Sequence, residues 1–166
     1  TVSALSGNTT EMGGTATFTV VLNSQPTSDV SIAVSSSDTS EATISPSSLT
    51  FDRSNYSTLQ TVTVTGVDDF YDDDNVSYTI TVDPSSSIAS YNTMTSSTVN
   101  GSNIDNDTAA ITVGAKSGNT SEFGTTATIN VTLATIPTAN VSIVVTDNDS
   151  TDCLLYTSDA ADELSC

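Results

Sequence analysis

Apolar and polar residues alternate along several short stretches of the chain. Between Thr15 and Leu22, for example, Phe18, Val20 and Leu22 are separated by single intervening positions. A period of two places one side of a β-strand against the core and the other toward solvent. The apolar positions with this spacing are Phe18, Val20, Leu22, Val30, Ile32, Val34, Leu49, Phe51, Val62, Val64, Tyr78, Ile80 and Val82. We therefore predict a strand at each of these stretches.

The segments between the predicted strands have the composition of turns. Gly13-Gly14, the stretch 23–26 (NSQP) and Asp83-Pro84 carry residues that favour tight turns. No stretch keeps a helical period. About seven short strands in roughly 105 residues, joined by polar turns, are typical of a seven-stranded antiparallel Greek-key β-sandwich of the immunoglobulin-like type.

The chain contains an internal repeat. Residues 1–40 align without gaps to residues 112–151, at an offset of 111, and 21 of the 40 positions are identical. The shared positions include Glu11 with Glu122 and Pro26 with Pro137. We predict one complete sandwich repeat at 1–109, followed by a truncated second repeat at 110–152. Because a fragment of this size buries little surface, its strands are expected to be weakly supported.

The last residues differ in composition from both copies of the repeat. The stretch from Cys153 to Glu163, CLLYTSDAADE, resembles the translation of a transposon adaptor used in sequencing libraries. The segment 153–166 is therefore predicted to be non-native and is left out of the fold prediction. The alternative is a short native C-terminal helix. The chain also begins without Met inside an apparent strand, so we expect it to be an excerpt from a longer protein.

The charge of the chain limits the classes of partner. There are 20 acidic residues against only Arg53 and Lys116, which gives a formal net charge of −18. Nothing in this composition would neutralise phosphates, so nucleic-acid binding is not expected. Binding to an anionic membrane surface is disfavoured for the same reason, and no stretch is long and apolar enough to insert into a membrane. Such a charge suits cation binding or a solubilising surface.

The residue types also limit the chemistry. The chain has no histidine and no cysteine before Cys153, so serine lacks an ordinary base and we predict no catalytic site. Zinc, copper and iron sites are disfavoured because imidazole and thiolate ligands are missing. Carboxylates and carbonyl oxygens suit a hard cation with 6–8 ligands, which favours Ca²⁺ over Mg²⁺.

One stretch concentrates the acidic residues. Residues 65–75, TGVDDFYDDDN, hold five aspartates within seven positions: Asp68, Asp69, Asp72, Asp73 and Asp74. Carboxylates this close raise one another's pKa unless a cation is present. The spacing does not fit an EF-hand loop, so a Ca²⁺ site would have to be assembled from separate loops. The alternative is a solvated hairpin loop.

Several motifs together resemble a known family. Glu11 before Gly13-Gly14, the VDD at 67–69 and the IDND at 104–107 resemble a Calx-β domain, and especially the Calx-β-like repeats of large bacterial surface proteins. The resemblance implies a seven-stranded sandwich that binds Ca²⁺ at one end through several loops. The ligands that it implies are Glu11, Asp38, Asp68, Asp69, Asp73, Asp105 and Asp107.

The stretch after VDD departs from the family. Aspartates Asp72, Asp73 and Asp74 stand where glutamates are usual, and the shorter side chain leaves open which of them reaches an ion. Asp72 is included among the candidate ligands. Other interpretations also stay open: Glu11 as a polar residue at a strand edge, Asp38 as a turn former, and 105–107 as a hydrophilic linker.

The function implied is that of a Ca²⁺-binding structural repeat in a secreted or cell-surface protein. Ca²⁺ would stiffen a stalk of tandem repeats in adhesion, and the partners would be the adjacent repeats, with a host or matrix glycan or protein as a further possibility. The first alternative is an adhesive domain that binds glycan or protein directly through Tyr56, Phe70, Tyr71 or Tyr91. The second is a spacer module in a secreted enzyme.

Overall fold

The computed structural model describes residues 1–148, together with the backbone of residues 156–157 and 164–165. The chain divides into two compact units. The first comprises Thr1–Asp69 and Asp73–Asn106, and the second comprises Phe70–Asp72 and Asp107–Cys166. The predicted repeat boundary, after residue 109, lies close to this division. Among the described residues, no helix is long and apolar enough to cross a membrane.

The first unit consists of short strands and one helical turn. The strands are β1 (Thr9–Thr10), β2 (Thr15–Val20), β3 (Val30–Ser36), β4 (Ala42–Ser45), β5 (Ser48–Phe51), β6 (Gln60–Gly66), β7 (Val76–Ser86) and β8 (Ser97–Ile104). The helical turn α1 (Ala89–Asn92) follows β7 and buries none of its residues. A single turn is too short to leave a helical period in the sequence.

The strands of the first unit form two sheets. One has the order β2-β6-β4, and the other has the order β1-β8-β7-β3-β5. Strands that follow each other in the chain, such as β2 and β3 or β6 and β7, lie in different sheets, as in a Greek-key sandwich. The predicted β-sandwich is thus confirmed. It differs from the predicted seven-stranded antiparallel arrangement in two respects: the first unit has eight strands, and β1 pairs parallel with β8.

The N-terminal segment explains this parallel pair. Residues before β1 run beside β2: Val2 bridges Val20, and the amide of Ser3 donates to the Thr19 carbonyl at 2.9 Å. The chain then crosses to the other sheet, where Thr9 and Thr10 align with Asn103 and Ile104. The N-terminal segment thus pairs with an outer strand of each sheet, β2 in one and β8 in the other. Fewer backbone groups of these outer strands are therefore left unpaired.

The core lies between the two sheets and consists of the alternating apolar residues. All thirteen positions with the predicted period are buried, and the core cluster also includes Ala42 and Val99. Phe51, Val62 and Ile80 are completely buried. The alternating apolar positions are therefore those on the side of each strand that faces the opposite sheet.

The second unit has shorter strands. These are β9 (Ile111–Val113), β10 (Thr128–Ile129), β11 (Val131–Leu133), β12 (Tyr156–Thr157) and β13 (Leu164–Ser165). Strand β9 pairs antiparallel with β11, and β13 pairs with both β10 and β12. The rest of the segment 153–166 lies outside the described residues, so both its assignment as non-native and the alternative C-terminal helix stay predictions.

Equivalent residues of the two copies differ in burial. Ile32 is 4% exposed, whereas Ile143, which stands 111 residues later, is 43% exposed. Val30 is completely buried, whereas its equivalent Val141 is 49% exposed. Both valine and isoleucine are conserved between the copies, so the difference comes from the strands around them. In the first unit β5 and β7 flank β3.

Candidate metal centre

Most acidic residues of the first unit lie near one set of strand ends, those of β1, β4, β6, β7 and β8. Strand pairing puts these ends at one edge of the sandwich: Ala42, at the start of β4, pairs with Gly66, at the end of β6. On the other sheet, Val76, at the start of β7, pairs with Asn103 near the end of β8. Strand β1, parallel to β8, ends at the same edge. The residues that follow or precede these strand ends therefore share one surface.

Three carboxylates of this edge form a compact cluster. One carboxylate oxygen from each of Glu41, Asp69 and Asp73 lies within 4.8 Å of the other two. Glu41 is buried, Asp69 is half-buried and Asp73 is exposed. They come from two segments: Glu41 stands directly before β4, and Asp69 and Asp73 lie in the connection between β6 and β7. The cluster therefore combines one acidic loop with a glutamate that the pairing of β4 with β6 brings to it.

The charges in this cluster disfavour ionisation. Burial raises the pKa of Glu41, and the Asn103 side chain partly offsets the increase by donating a hydrogen bond. The neighbouring carboxylates of Asp73, Asp38 and Asp69 raise it further. Partial desolvation raises the pKa of Asp73, and the charges of Asp69 and Asp105 raise it further. These groups repel one another when ionised, and a cation would remove that repulsion.

Glu11 lies at the same edge and is almost completely buried. Its Oε2 accepts hydrogen bonds from the backbone amide of Asn106 at 3.1 Å and from Asn106 Nδ2 at 3.3 Å. Burial raises the pKa of Glu11; the Asn106 amide lowers it, and the carboxylates of Asp105 and Asp69 raise it. Since Asp69 acts on both glutamates, Glu11 and the three-carboxylate cluster belong to one electrostatic site.

Two further predicted ligands of the first unit line this edge. Asp68 is exposed, and its Oδ1 accepts from Asn106 Nδ2 at 3.3 Å. Asp105 is half-buried, and its Oδ2 accepts from the backbone amide of Asp73 at 3.2 Å. Glu11, Asp68, Asp69, Asp73 and Asp105 are therefore brought to one surface. Their roles as ligands stay predictions.

Asp38 is placed differently. The Asp38 carboxylate accepts from the Ser40 hydroxyl and backbone amide, and the hydroxyl contact is the main cause that lowers the pKa of Asp38. Asp72 and Asp107 belong to the second unit. Asp72 Oδ2 accepts from the backbone amide of Ala109 at 2.7 Å, and Asp107 is half-buried. Asp38 shows the geometry of a turn former, which was its alternative interpretation.

Sequence reasoning missed two residues, Glu41 and Asn106. Glu41 stands three positions after Asp38 and directly before a strand, a position that carries no motif of its own. Its burial next to an acidic turn is visible only in the fold. Asn106 lies between two aspartates that drew attention because of their charge. A search for charged ligands alone overlooks Asn106, whose side-chain amide donates a hydrogen bond to the Glu11 carboxylate.

Both basic side chains, those of Arg53 and Lys116, donate hydrogen bonds away from this edge. Arg53 donates to the Thr27 carbonyl at 2.9 Å, and Lys116 donates to Asn119 Oδ1 at 3.2 Å. The donor set at the edge consists of carboxylate oxygens with backbone and amide oxygens nearby. This set fits a hard cation and does not fit a metal that requires sulfur or nitrogen ligands.

Without Ca²⁺, the first unit is expected to become more stable as the pH is lowered from 7 to about 5. The raised pKa values of Glu11, Glu41 and Asp73 mean that the folded chain binds more protons than the unfolded chain in this range. Stability therefore falls as the pH rises through these folded-state values. The lowered pKa values of Asp38 and Asp52 act in the opposite direction, but only near and below about pH 4.

The measurement is the urea midpoint in Ca²⁺-free buffer at pH 7, 6 and 5. A Glu11→Gln/Glu41→Gln double variant, which lacks two of the three groups, should show a smaller pH dependence. If the urea midpoint of the unsubstituted chain decreases steadily from pH 7 to pH 5, folding does not raise the pKa values of these carboxylates, and the prediction is wrong.

No protein-family profile matches the chain, and no curated protein sequence matches it. Among solved structures, it is similar to SSP-19, an MSP-domain protein like family member in Caenorhabditis elegans, with 15% identity over 59% of this chain and 92% of that one, and a TM-score of 0.45. WR4, a C. elegans MSP family member, shows 14% identity over 60% and 90%, with a TM-score of 0.37.

A third similar structure is the CsuC-CsuE chaperone-tip adhesion subunit pre-assembly complex from the archaic chaperone-usher Csu pili of Acinetobacter baumannii. The identity is 12% over 60% of this chain and 53% of that one, with a TM-score of 0.45. These scores are too low to carry an argument about function. The β-sandwich of the first unit follows from its own strand pairings, and the resemblance to Calx-β domains stays a prediction.

Proposed function

We propose that the chain contains a Ca²⁺-binding structural module, in which the ion is held at the acidic edge of the first unit. The single observation that carries the proposal is the Glu41, Asp69 and Asp73 cluster, whose carboxylate oxygens lie within 4.8 Å of one another. A buried glutamate beside two aspartates, with raised pKa values at Glu41 and Asp73, is costly for a folded chain unless a cation neutralises it.

The ligand type favours Ca²⁺. Ca²⁺ accepts 6–8 oxygen ligands in flexible geometry, whereas Mg²⁺ requires a near-ideal octahedron. The oxygens at this edge come from strand ends in both sheets, with different degrees of burial, and such a set adapts more readily to Ca²⁺. Glu11, Asp68 and Asp105 are the next candidate ligands, because they share the surface.

The proposed role is mechanical. Asn106, the last residue of the first unit, donates to Glu11 and to Asp68, so the end of the unit is attached to the acidic edge. Ca²⁺ would remove the repulsion between the carboxylates and restrain residues 104–106. In a chain of tandem repeats, this would stiffen the exit from each repeat. The internal repeat and the resemblance to Calx-β repeats support this role in an extracellular adhesive stalk.

The alternative of direct glycan or protein binding receives less support. It requires exposed aromatic residues, but Tyr56 and Tyr91 are half-buried and pack against the core of the first unit. The Tyr91 hydroxyl also lies 3.1 Å from Ser24 Oγ and donates to the Ser24 carbonyl at 3.0 Å. Two of the four aromatic residues proposed for this function are therefore used for packing.

Isothermal titration calorimetry of the full chain with Ca²⁺ tests the proposal. We expect saturable binding that is weaker for Mg²⁺, and a loss of affinity of roughly 10-fold or more in Asp69→Asn and Glu41→Gln. Asp83→Asn is the matched control, because Asp83 is an exposed strand residue of β7 and lies outside the cluster. No binding at millimolar Ca²⁺, or an equal loss in the control, would refute a specific site.

A further inference from the structure

A buried hydrogen-bond network reaches the acidic edge from inside the sandwich. Asn103, on β8, is 1% exposed. Its Nδ2 donates to Glu41 Oε2 at 3.3 Å and to the Val67 carbonyl at 2.9 Å. Its Oδ1 accepts from Thr9 Oγ1 at 3.0 Å. A single buried amide thus contacts the segments before β4 and after β6, and both segments supply members of the carboxylate cluster.

The orientation of the Asn103 amide is determined by its partners. A carboxylate oxygen and a backbone carbonyl only accept hydrogen bonds, so the side facing Glu41 and Val67 must be the NH₂ group. The opposite side faces the Thr9 hydroxyl, which donates to Oδ1. Thr9 is completely buried, and its Oγ1 lies 3.1 Å from the hydroxyl of Tyr78, which can donate to it. Every polar group in this chain of contacts has a partner.

Two glycines make room for the network. A Cβ at Gly66, the last residue of β6, would overlap the Asn103 Oδ1 and the Thr10 carbonyl. A Cβ at Gly101, on β8, would overlap the ring of Tyr78. Neither glycine has a positive φ, so what they provide here is close approach and not an unusual backbone conformation. Gly66 thus leaves space for the Asn103 side chain at one end of the network, and Gly101 leaves space for the Tyr78 ring at the other.

We infer that Asn103 is a positioning residue for the cation site, which holds the Glu41 carboxylate and the backbone at Val67 in the arrangement that the ion requires. This inference rests on the proposed function. Glu41 is the buried member of the cluster, and its carboxylate accepts a hydrogen bond from the Asn103 side chain. The Val67 amide also donates to the Glu41 carbonyl at 3.0 Å, so the two segments are joined both by this backbone hydrogen bond and by the Asn103 side chain.

The first test compares Ca²⁺ affinity in Asn103→Ala and Asn100→Ala by calorimetry on the full chain. Partners that orient a metal ligand typically contribute 10- to 100-fold to metal affinity, so we expect a loss of this size in Asn103→Ala. Asn100 lies on the same strand but is exposed, and its Oδ1 accepts from Thr79 Oγ1 at 3.2 Å. Asn100→Ala is expected to bind Ca²⁺ as the unsubstituted chain does.

The pH profile separates positioning from a general loss of structure. Without the Asn103 donor, Glu41 should hold its proton to higher pH, since Asp69, Asp73 and Asp38 remain around it. The midpoint for Ca²⁺ binding should therefore move to higher pH in Asn103→Ala and stay unchanged in Asn100→Ala. A variant that was merely less stable would lose binding without this displacement of the midpoint.

A second pair of variants keeps the test decisive if Asn103→Ala does not fold. Thr9→Val removes the hydroxyl that holds Oδ1 at nearly the same volume, whereas Thr9→Ser keeps it. Thr9→Val should bind Ca²⁺ several-fold more weakly, and Thr9→Ser should restore the affinity. Equal affinity in this pair, or unchanged affinity and midpoint in a folded Asn103→Ala, overturns the inference alone. Failure of the unsubstituted chain to bind Ca²⁺ overturns the proposed function and the inference together.

Discussion

Replacing Ile32 by alanine should lower the free energy of unfolding of the first unit by about 2–5 kcal/mol, whereas Ile143→Ala should change that of the second unit by less than about 1 kcal/mol. Ile32 lies in the middle of β3, between β5 and β7, and is 4% exposed. Its removal leaves a cavity that the two flanking strands cannot fill. Ile143 is 43% exposed, so its truncation removes fewer contacts.

Ile143→Ala is an internal control for Ile32→Ala, because the two isoleucines occupy equivalent positions of the repeat. Hydrogen exchange with mass spectrometry measures the opening free energy of each unit separately. Peptides from β2, β3 and β7 report on the first unit, and peptides from β9 and β11 report on the second. Equal losses in the two units would mean that the exposed face around Ile143 is covered in solution.

Ca²⁺ should stabilise the first unit by about 2.7 kcal/mol when the free ion is present at 100 times its dissociation constant. The reason is linkage: the folded edge binds the ion, while the unfolded chain has no assembled site. For a unit of this size the increase corresponds to a rise of roughly 10–20 °C in Tm. Asp69→Asn should lose most of the increase, because it removes one of the three clustered carboxylates.

Thermal melts in Ca²⁺ need a control for general charge screening. With a formal net charge of −18, any salt reduces the repulsion within the chain. The comparison is therefore made with NaCl at the same ionic strength and with Mg²⁺ at the same concentration. An equal rise in Tm in all three solutions would mean that screening explains the effect, and a specific site at the edge would then be excluded.

The strands and the core were predictable because their signal is local. The buried apolar residues of β2, β3, β6 and β7 recur at every second position, and this period depends only on the geometry of an extended backbone. No knowledge of partner strands is needed to see it. The repeat was visible for a similar reason, since it requires only a comparison of the chain with itself.

The candidate site was predictable only in part. Acidic residues at 68–74 and 105–107 stand out by their density, and the structure places Asp68, Asp69, Asp73 and Asp105 at one edge with Glu11. Glu41 was missed because it is a single acid with no motif. Which carboxylates meet depends on the pairing of β4 with β6 and of β7 with β8, and pairing is a non-local property.

By itself, the sequence determined the positions and buried sides of β2, β3, β5, β6 and β7, the repeat and the chemical type of any ligand set, because composition and period two are properties of the chain alone. Strands β1, β4 and β8 were not predicted. Only the tertiary structure decided that β1 lies parallel to β8, that Glu41 joins Asp69 and Asp73, and that Asn103 reaches Glu41 from the core. These contacts join residues between 4 and 94 positions apart, such as Asp69 with Asp73 and Thr9 with Asn103. Their energies depend on distance and burial, which exist only once the two sheets have packed.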